Sequence, residues 1–235
     1  IVEENSLGGT CLNRGCIPTK VYAHAAELIN SIKSANDFGI AAEYNLDIDK
    51  MRKKKERVVK RLVAGVGYLM KSHNIDVING KATFLDKNTI QVDKKYTAEN
   101  FIIATGSKTF VPPIPGTDDP GMMISDKALE LENVPERIVI VGAGIIGLEF
   151  ANIYSTLGSK VTVIEMLEEC ARDVMPIDKI SLMRMLAENN VKLLTNSRVI
   201  EIDSDGVIIE KQDGSKEKIE ADTVIIAFGQ TNDND

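Results

Sequence analysis

Two groups of residues in this chain have types and spacings that could do chemistry. The first is the pair Cys11 and Cys16, five positions apart in the stretch Leu7-Gly8-Gly9-Thr10-Cys11-Leu12-Asn13-Arg14-Gly15-Cys16-Ile17-Pro18-Thr19-Lys20. In an unbroken helix five residues rise about 7.5 Å, beyond the reach of a disulfide, so a bridge between them requires an interrupted helix. Gly15, with its wide backbone freedom, and Pro18, which suits the first turn of a following helix, supply the interruption and the restart. A bridge closed at such a place is constrained and reducible, which suits catalysis better than structural crosslinking. On spacing alone, two core thiols or half a metal site stand as alternatives.

The second group is Gly142-Ala143-Gly144-Ile145-Ile146-Gly147, with the apolar run Arg137-Ile138-Val139-Ile140-Val141 before it and an apolar helical segment after it that ends near Leu157-Gly158. A further strand over 160–164 ends in Glu165, eighteen residues beyond Gly147. Strand, glycine turn, helix, strand and acid form the context in which GxGxxG is a dinucleotide-binding turn. The glycines permit the tight turn, the approach of a pyrophosphate to the helix N-terminus, and close helix–strand packing. Glu165 chooses the cofactor, because a carboxylate there can accept from the 2′-hydroxyl of NAD but repels the 2′-phosphate of NADP. The next arginine along the chain, Arg172, is seven residues on. NAD is therefore the expected cofactor.

The elements that must position these groups follow from periodicity. Val21, Ala25, Leu28 and Ile32 recur at helical spacing from Pro18 to about Ala35, which puts Lys20 on the first turn of a helix. His24, one turn further on, is expected to be a structural or surface residue rather than an acid/base group. The basic run from Arg52 to Arg61 is the solvated face of a second helix whose core stripe is Met51, Val58, Leu62, Val66 and Leu69. Short strands are expected over 75–78, 82–84 and 89–92, with a turn at Asp86-Lys87-Asn88. Phe101-Ile102-Ile103-Ala104 is expected to be a buried strand running into the turn Thr105-Gly106-Ser107. The rigid Pro112-Pro113-Ile114-Pro115-Gly116 segment then marks a domain boundary. Strands over 191–194, 199–203, 207–210 and 223–228, with a turn at Asp213-Gly214, complete the nucleotide domain.

Composition sets bounds on function. A chain of 235 residues, 43% hydrophobic, can bury a real core and is long enough for two domains. A net charge of −7 and a sequence pI near 5.1 argue against nucleic acid as a partner. No apolar run approaches membrane-spanning length and no charged-then-apolar leader is seen, so neither a membrane nor export is expected, and the expected compartment is the reducing cytoplasm. Three cysteines fit a functional pair plus a bystander, Cys170, better than an extracellular disulfide framework.

The cysteine segment, with Gly8-Gly9 before, Gly15 between and Ile17-Pro18-Thr19-Lys20 after, resembles the active-site segment of flavin-dependent pyridine nucleotide–disulfide oxidoreductases. Leu12-Asn13 and Ile17-Pro18 resemble the dihydrolipoamide-oxidising members more than the glutathione or mercuric reductases, which share the glycines and both cysteines. The resemblance covers nearly the whole chain and corresponds to the middle portion of the family's full-length enzyme. It implies an α/β fold with two Rossmann-like, three-layer dinucleotide-binding domains carrying β-meander insertions. The first, over 1–119, would be an incomplete FAD domain with the redox disulfide, and the second, over 120–235, an NAD domain.

The same resemblance implies roles for individual residues. Cys11 would exchange with substrate and Cys16 would face the flavin, with Lys20 beside it and paired to Glu149. FAD would meet Glu3 at its adenosine ribose, Gly8, Gly9 and Thr10 near the disulfide, the main chain around Ala82 at its adenine, and Ala104-Thr105-Gly106 at a second turn. Many members have glycine where this chain has Ala82. NAD would meet Gly142, Gly144, Ile145, Ile146, Gly147 and Glu165, with Val199 and Gly229 touching its adenosine or nicotinamide side. The family's usual Gly-Arg-x-Pro-Asn is here Gly229-Gln230-Thr231-Asn232. No metal is expected. The implied activity is oxidation of dihydrolipoamide or another small dithiol, in a homodimer that can serve a 2-oxo acid dehydrogenase complex. A freestanding NAD-binding module without enzyme activity is the alternative of a different class, and the two cysteines with Lys20 argue against it, since a bare nucleotide binder has no use for them.

Overall fold

The computed structural model describes residues 1–118, 122–172 and 174–232. The chain opens with β1 (Val2–Glu3), then α1 (Gly9–Arg14) and α2 (Cys16–Ser34), separated by the single residue Gly15. A 3-10 turn (Ala35–Phe38) leads to α3 (Ile48–Ser72), whose first turn is capped by the Asp47 carboxylate accepting from the Lys50 N–H at 2.9 Å. β2 (Ile78–Asn79) returns parallel to β1, so that Glu3 lies opposite Asn79. β3 (Thr83–Asp86), β4 (Thr89–Gln91) and β5 (Lys95–Thr97) form an antiparallel meander. Its first turn is closed, as expected, at Asp86-Lys87-Asn88, where Asp86 Oδ1 accepts from the Asn88 N–H at 2.8 Å.

After β6 (Ser107–Thr109) come β7 (Met122–Ile124), α4 (Ser125–Ala128), β8 (Arg137–Val141), α5 (Ile145–Leu157), β9 (Lys160–Ile164), α6 (Pro176–Glu188) and β10 (Lys192–Leu194). β11 (Ser197–Asp203), β12 (Gly206–Lys211) and β13 (Lys216–Glu220) form a second antiparallel meander, followed by β14 (Thr223–Ile226) and β15 (Gln230–Asn232). Five strands form one all-parallel sheet in the order β10-β9-β8-β14-β7. Alternation along β8 explains why every residue from Ile138 to Val141 is apolar. Ile138 and Ile140 face a core built with α2, α5 and α6, whereas Val139 and Val141 face a second core built with the β11–β13 meander. Helices, parallel sheet and meander make the expected three layers.

Four differences from the sequence expectation have physical causes. Residues 101–104 form no strand, and Ile102 and Ile103 are 95% and 72% exposed. An apolar run becomes a buried strand only where neighbouring strands and covering layers exist, and β1 and β2 pair only with each other. The α2 core stripe is Pro18, Tyr22, Ala26 and Ile29, rotated by about one residue from the expected set, and Leu28 is exposed. Contacts set that rotation, since the Tyr22 hydroxyl donates to the Leu129 carbonyl at 3.1 Å. On α3, Met51 is buried and Val58 and Val66 are half-buried, but Leu62 and Leu69 are exposed. The strand expected over 75–78 is confined to β2, because its partner β1 offers only two residues for pairing.

The 112–116 segment is not a free linker. Pro115 accepts from the Ile202 N–H at 2.8 Å and so lies against the second meander. The domain boundary expected between 119 and 120 lies outside the described residues. Among the described residues no helix is long and apolar enough to cross a membrane.

Candidate functional site

The glycine turn is set by close backbone approach. Gly142 has φ +108°, and a Cβ there would lie 2.5 Å from the Ala227 carbonyl oxygen, so neither the conformation nor the space suits another residue. A Cβ on Gly147 would overlap the Gly142 carbonyl oxygen and come within 3.3 Å of Ile140, which is the close helix–strand packing expected of the third glycine. α5 starts at Ile145, directly behind the turn, with Gly144 as its N-cap, and the N–H groups of its first turn are the natural ligands of an anion.

Glu165 stands at the end of β9, as expected, and its carboxylate is already oriented. Oε2 accepts from the Ala143 N–H at 2.8 Å and Oε1 from the Leu167 N–H at 3.0 Å. Two of roughly four lone-pair sites are thereby used, which fixes the group to the glycine turn and leaves capacity for ribose hydroxyls. Gly142, Gly144, Ile145, Ile146, Glu165, Val199 and Gly229 all line one cleft of about 780 Å³, roofed by Pro112-Pro113-Ile114-Pro115 and floored by Val141 and Ile164. Gly147, buried beneath the turn, is the one residue of the expected nucleotide set that does not line it. This donor set and shape fit a pyridine dinucleotide. Gly229 is held by accepting the Phe110 N–H at 3.0 Å, and Gln230–Asn232 pairs antiparallel with β6, so the altered loop has a defined strand conformation.

The cysteine segment is built as a helix broken at Gly15. Cys11 and Cys16 are joined by a disulfide with Cα atoms 4.8 Å apart, and both side chains are exposed. A Cβ on Gly15 would come within 3.1 Å of both Cys11 Cα and the Thr10 carbonyl oxygen, which explains glycine between the two thiols. Thr19 closes the restart, its N–H and hydroxyl donating to the Gly15 carbonyl at 3.1 and 2.7 Å. The Asn13 amide donates to the carbonyls of Gly9 at 2.9 Å and Leu7 at 3.1 Å, so it staples the Gly8-Gly9 turn to α1. Asn13 entered the sequence reading only as part of the family string, and nothing local signals this task.

Lys20 is exposed on α2, and Glu149 is half-buried on α5. Burial raises the Glu149 pKa above its ordinary 4.5, and the charge of Lys20 opposes that rise through space, without an ion-pair contact between them. The fold thus brings the expected pair into electrostatic range. A raised acid destabilises the fold only where it is ionised. Well below the ordinary 4.5 Glu149 is protonated in both the folded and unfolded chain and costs nothing, and the cost grows from there until pH has risen through the folded pKa. Glu149→Gln is therefore expected to raise the melting temperature clearly more at pH 7.5 than at pH 4, in paired thermal denaturation curves. An equal shift at both pH values would show that packing rather than charge is responsible.

The residues expected around a flavin lie on an exposed face. Glu3 is half-buried, with its carboxylate accepting from the Asn5 N–H at 2.9 Å and its carbonyl from the Gly80 N–H at 3.0 Å. That pairing brings Glu3 beside the 79–82 segment, where Ala82 is exposed. Gly8, Gly9, Ala104, Thr105 and Gly106 are exposed and Thr10 half-buried. Gly9 and Gly106 have open space where a side chain would stand, so their backbone can be approached closely. An acid at a strand end and approachable backbone turns fit one flank of a second dinucleotide. Cys170 is buried in the helix-side core beside the glycine turn, where the Ala171 N–H donates to the Ala143 carbonyl at 2.8 Å, and burial first and the nearby Glu165 charge next push its thiol pKa up. His24 is exposed and pairs with Glu27 at 3.2 Å.

A redox disulfide at a broken helix, joined to a dinucleotide cleft, defines a pyridine nucleotide-linked disulfide oxidoreductase. The family model described as pyridine nucleotide-disulphide oxidoreductase matches residues 1–235, and the chain belongs to that family. Its curated relatives include the dihydrolipoyl dehydrogenase of Acholeplasma laidlawii, 36% identical over 97% of this chain and 70% of that one. That of Bacillus subtilis is 35% identical over 98% of this chain and 52% of its own. Among solved structures, the HOCl-induced flavoprotein disulfide reductase RclA from Escherichia coli superposes over all of this chain and 51% of that one, with TM-score 0.82 and 30% identity. LpdA from Mycobacterium tuberculosis, 20% identical with TM-score 0.84 over 97% of this chain and 52% of its own, shares the fold. The chain thus spans about half the length of most of these proteins.

Proposed function

We propose that this chain carries the disulfide and nucleotide centres of a flavin-dependent oxidoreductase that oxidises dihydrolipoamide to lipoamide with NAD⁺, in the cytoplasm and within a homodimer able to serve a 2-oxo acid dehydrogenase complex. The observation that carries this reading is the joining, in one chain, of an exposed Cys11–Cys16 disulfide and a cleft with Glu165 at its rim. Relatives named dihydrolipoyl dehydrogenase support the substrate class.

In this reading the substrate dithiol attacks the Cys11–Cys16 disulfide and then closes its own disulfide, leaving two thiols on the protein and two electrons gained. Glu3, Gly8, Gly9, Thr10, Ala82, Ala104, Thr105 and Gly106 would hold FAD, which would supply two-electron transfer from the protein thiols to NAD⁺, giving NADH and one proton. Lys20 and Glu149 would flank the flavin with opposite charges, and Lys20 would stabilise negative charge on it. Glu165 and the 142–147 turn hold and orient the nicotinamide dinucleotide.

Two measurements on the chain test the reading. Dihydrolipoamide should make Cys11 and Cys16, and not the buried Cys170, available to alkylation in mass spectra. NADH should bind at least about tenfold more tightly than NADPH, because the 2′-phosphate would stand beside a carboxylate. A disulfide untouched by dihydrolipoamide would remove the substrate, and equal binding of the two nucleotides would remove NAD.

A further inference from the structure

The fold brings to the cleft an arginine that the sequence places far from Glu165. Arg198, thirty-three residues later, lines the same cleft. Its root is fixed beside the acid, because the N–H of neighbouring Ser197 donates to the Glu165 carbonyl at 3.0 Å. Among the described residues lining the cleft it is the one arginine. Its guanidinium is engaged elsewhere. Arg198 and Glu210 stand directly opposite on β11 and β12, and Nη2 donates to Glu210 Oε2 at 2.8 Å.

We propose that the Arg198–Glu210 pair is a second determinant of the choice between NAD and NADP, an inference that rests on the NAD reading above. An arginine near the acid position is the usual means of holding a 2′-phosphate, since its fork matches phosphate oxygens. Here Glu210 engages one arm of that fork, Nη2, and holds the side chain across the strand pair. A 2′-phosphate must then face Glu165 and also compete with Glu210 for the guanidinium that lines the cleft. The same pairing protects NAD binding. A released Arg198 could turn to the Glu165 carboxylate and compete with the ribose hydroxyls. Lys211, the residue next to Glu210, is engaged by Glu217 at 2.6 Å, and Lys216 stands across from Glu210 on β13, so Glu210 lies between Arg198 and Lys216 across the three strands.

Dissociation constants of NADH and NADPH, measured on the full chain, test the proposal. Exposed ion pairs are individually weak, so Glu210→Gln is expected to lower the NADPH-to-NADH ratio of dissociation constants by about fivefold. Adding Arg198→Gln to that variant should restore the wild-type ratio. Arg198→Gln alone, which leaves Glu210 charged and unneutralised, should move the ratio the other way, and it decides the matter should the Glu210 variant not fold. An unchanged ratio in Glu210→Gln, or a fall that persists without Arg198, overturns the proposal. Failure of the NAD reading looks different: the wild-type chain would bind neither nucleotide, or would prefer NADPH.

Discussion

Gly147→Ala is expected to damage both folding and nucleotide binding, although it adds one methyl group. The added Cβ would overlap the Gly142 carbonyl oxygen and press on Ile140, which is itself fully buried in β8. Neither neighbour can yield without cost. The Gly142 N–H is bonded to the Ile164 carbonyl at 2.9 Å, and Gly142 also lies against Ala227, so moving its carbonyl moves the turn and the strand ends that frame the cleft. Overpacking of this kind costs about 1–3 kcal/mol, which urea denaturation would report as a lower midpoint at unchanged slope. NADH affinity should fall by at least about tenfold, because the first N–H groups of α5 lose their aim at the pyrophosphate. Gly65→Ala, on the exposed part of α3 with open space at its Cβ, is the control and should be neutral or slightly stabilising. A Gly147→Ala chain as stable and as avid as wild type would mean that the close packing is not what the site depends on.

Legibility in the sequence followed the range of the interactions involved. The nucleotide half was readable because its parallel strands are apolar on both faces and its turn and acid lie within thirty residues of each other. The 101–104 segment was misread because strand burial depends on neighbours rather than on the segment's own apolar character. β13 was missed for the opposite reason. Its sequence, Lys216-Glu217-Lys218-Ile219-Glu220, is charged, and only Ile219 turns into the core, yet pairing with β12 makes it a strand.

The seat of α4 was equally hidden. Tyr22 from α2 and Tyr154 from α5 donate to the adjacent carbonyls of Leu129 and Ala128, at 3.1 and 2.8 Å, so the helix bearing Cys16 and the helix bearing Glu149 share one anchor. Burial pushes the Tyr154 hydroxyl pKa up to about 12 and the Tyr22 value higher still, and both stay protonated donors. No local spacing announces a contact between residues 107 apart. Arg198 is hidden in the same way, because it lies thirty-three residues from Glu165 along the chain and only the Ser197–Glu165 backbone bond brings it beside the acid.

The two thiols should differ in acidity once the disulfide is reduced, and that difference assigns their work. Cys16 is the first residue of the nineteen-residue α2, whereas Cys11 is the third residue of the six-residue α1. The positive end of a long helix dipole favours a thiolate in its first turn, and thiols so placed have pKa values well below the ordinary 8.5 or so. In exchange chemistry the sulfur that leaves more readily as thiolate is the inner partner, so an incoming thiol attacks Cys11 and expels Cys16. Reduced Cys11→Ser and Cys16→Ser chains allow each remaining thiol to be titrated by its alkylation rate against pH, with buried Cys170 unreactive in both. Cys16 should titrate below Cys11, so that its alkylation rate rises at lower pH. In a flavin-loaded form, Cys11→Ser should abolish exchange with dihydrolipoamide yet keep a long-wavelength thiolate–flavin absorption band, which Cys16→Ser should lose. A lower pKa at Cys11 would reverse the two roles, and equal values would show that the α2 dipole does not reach the sulfur.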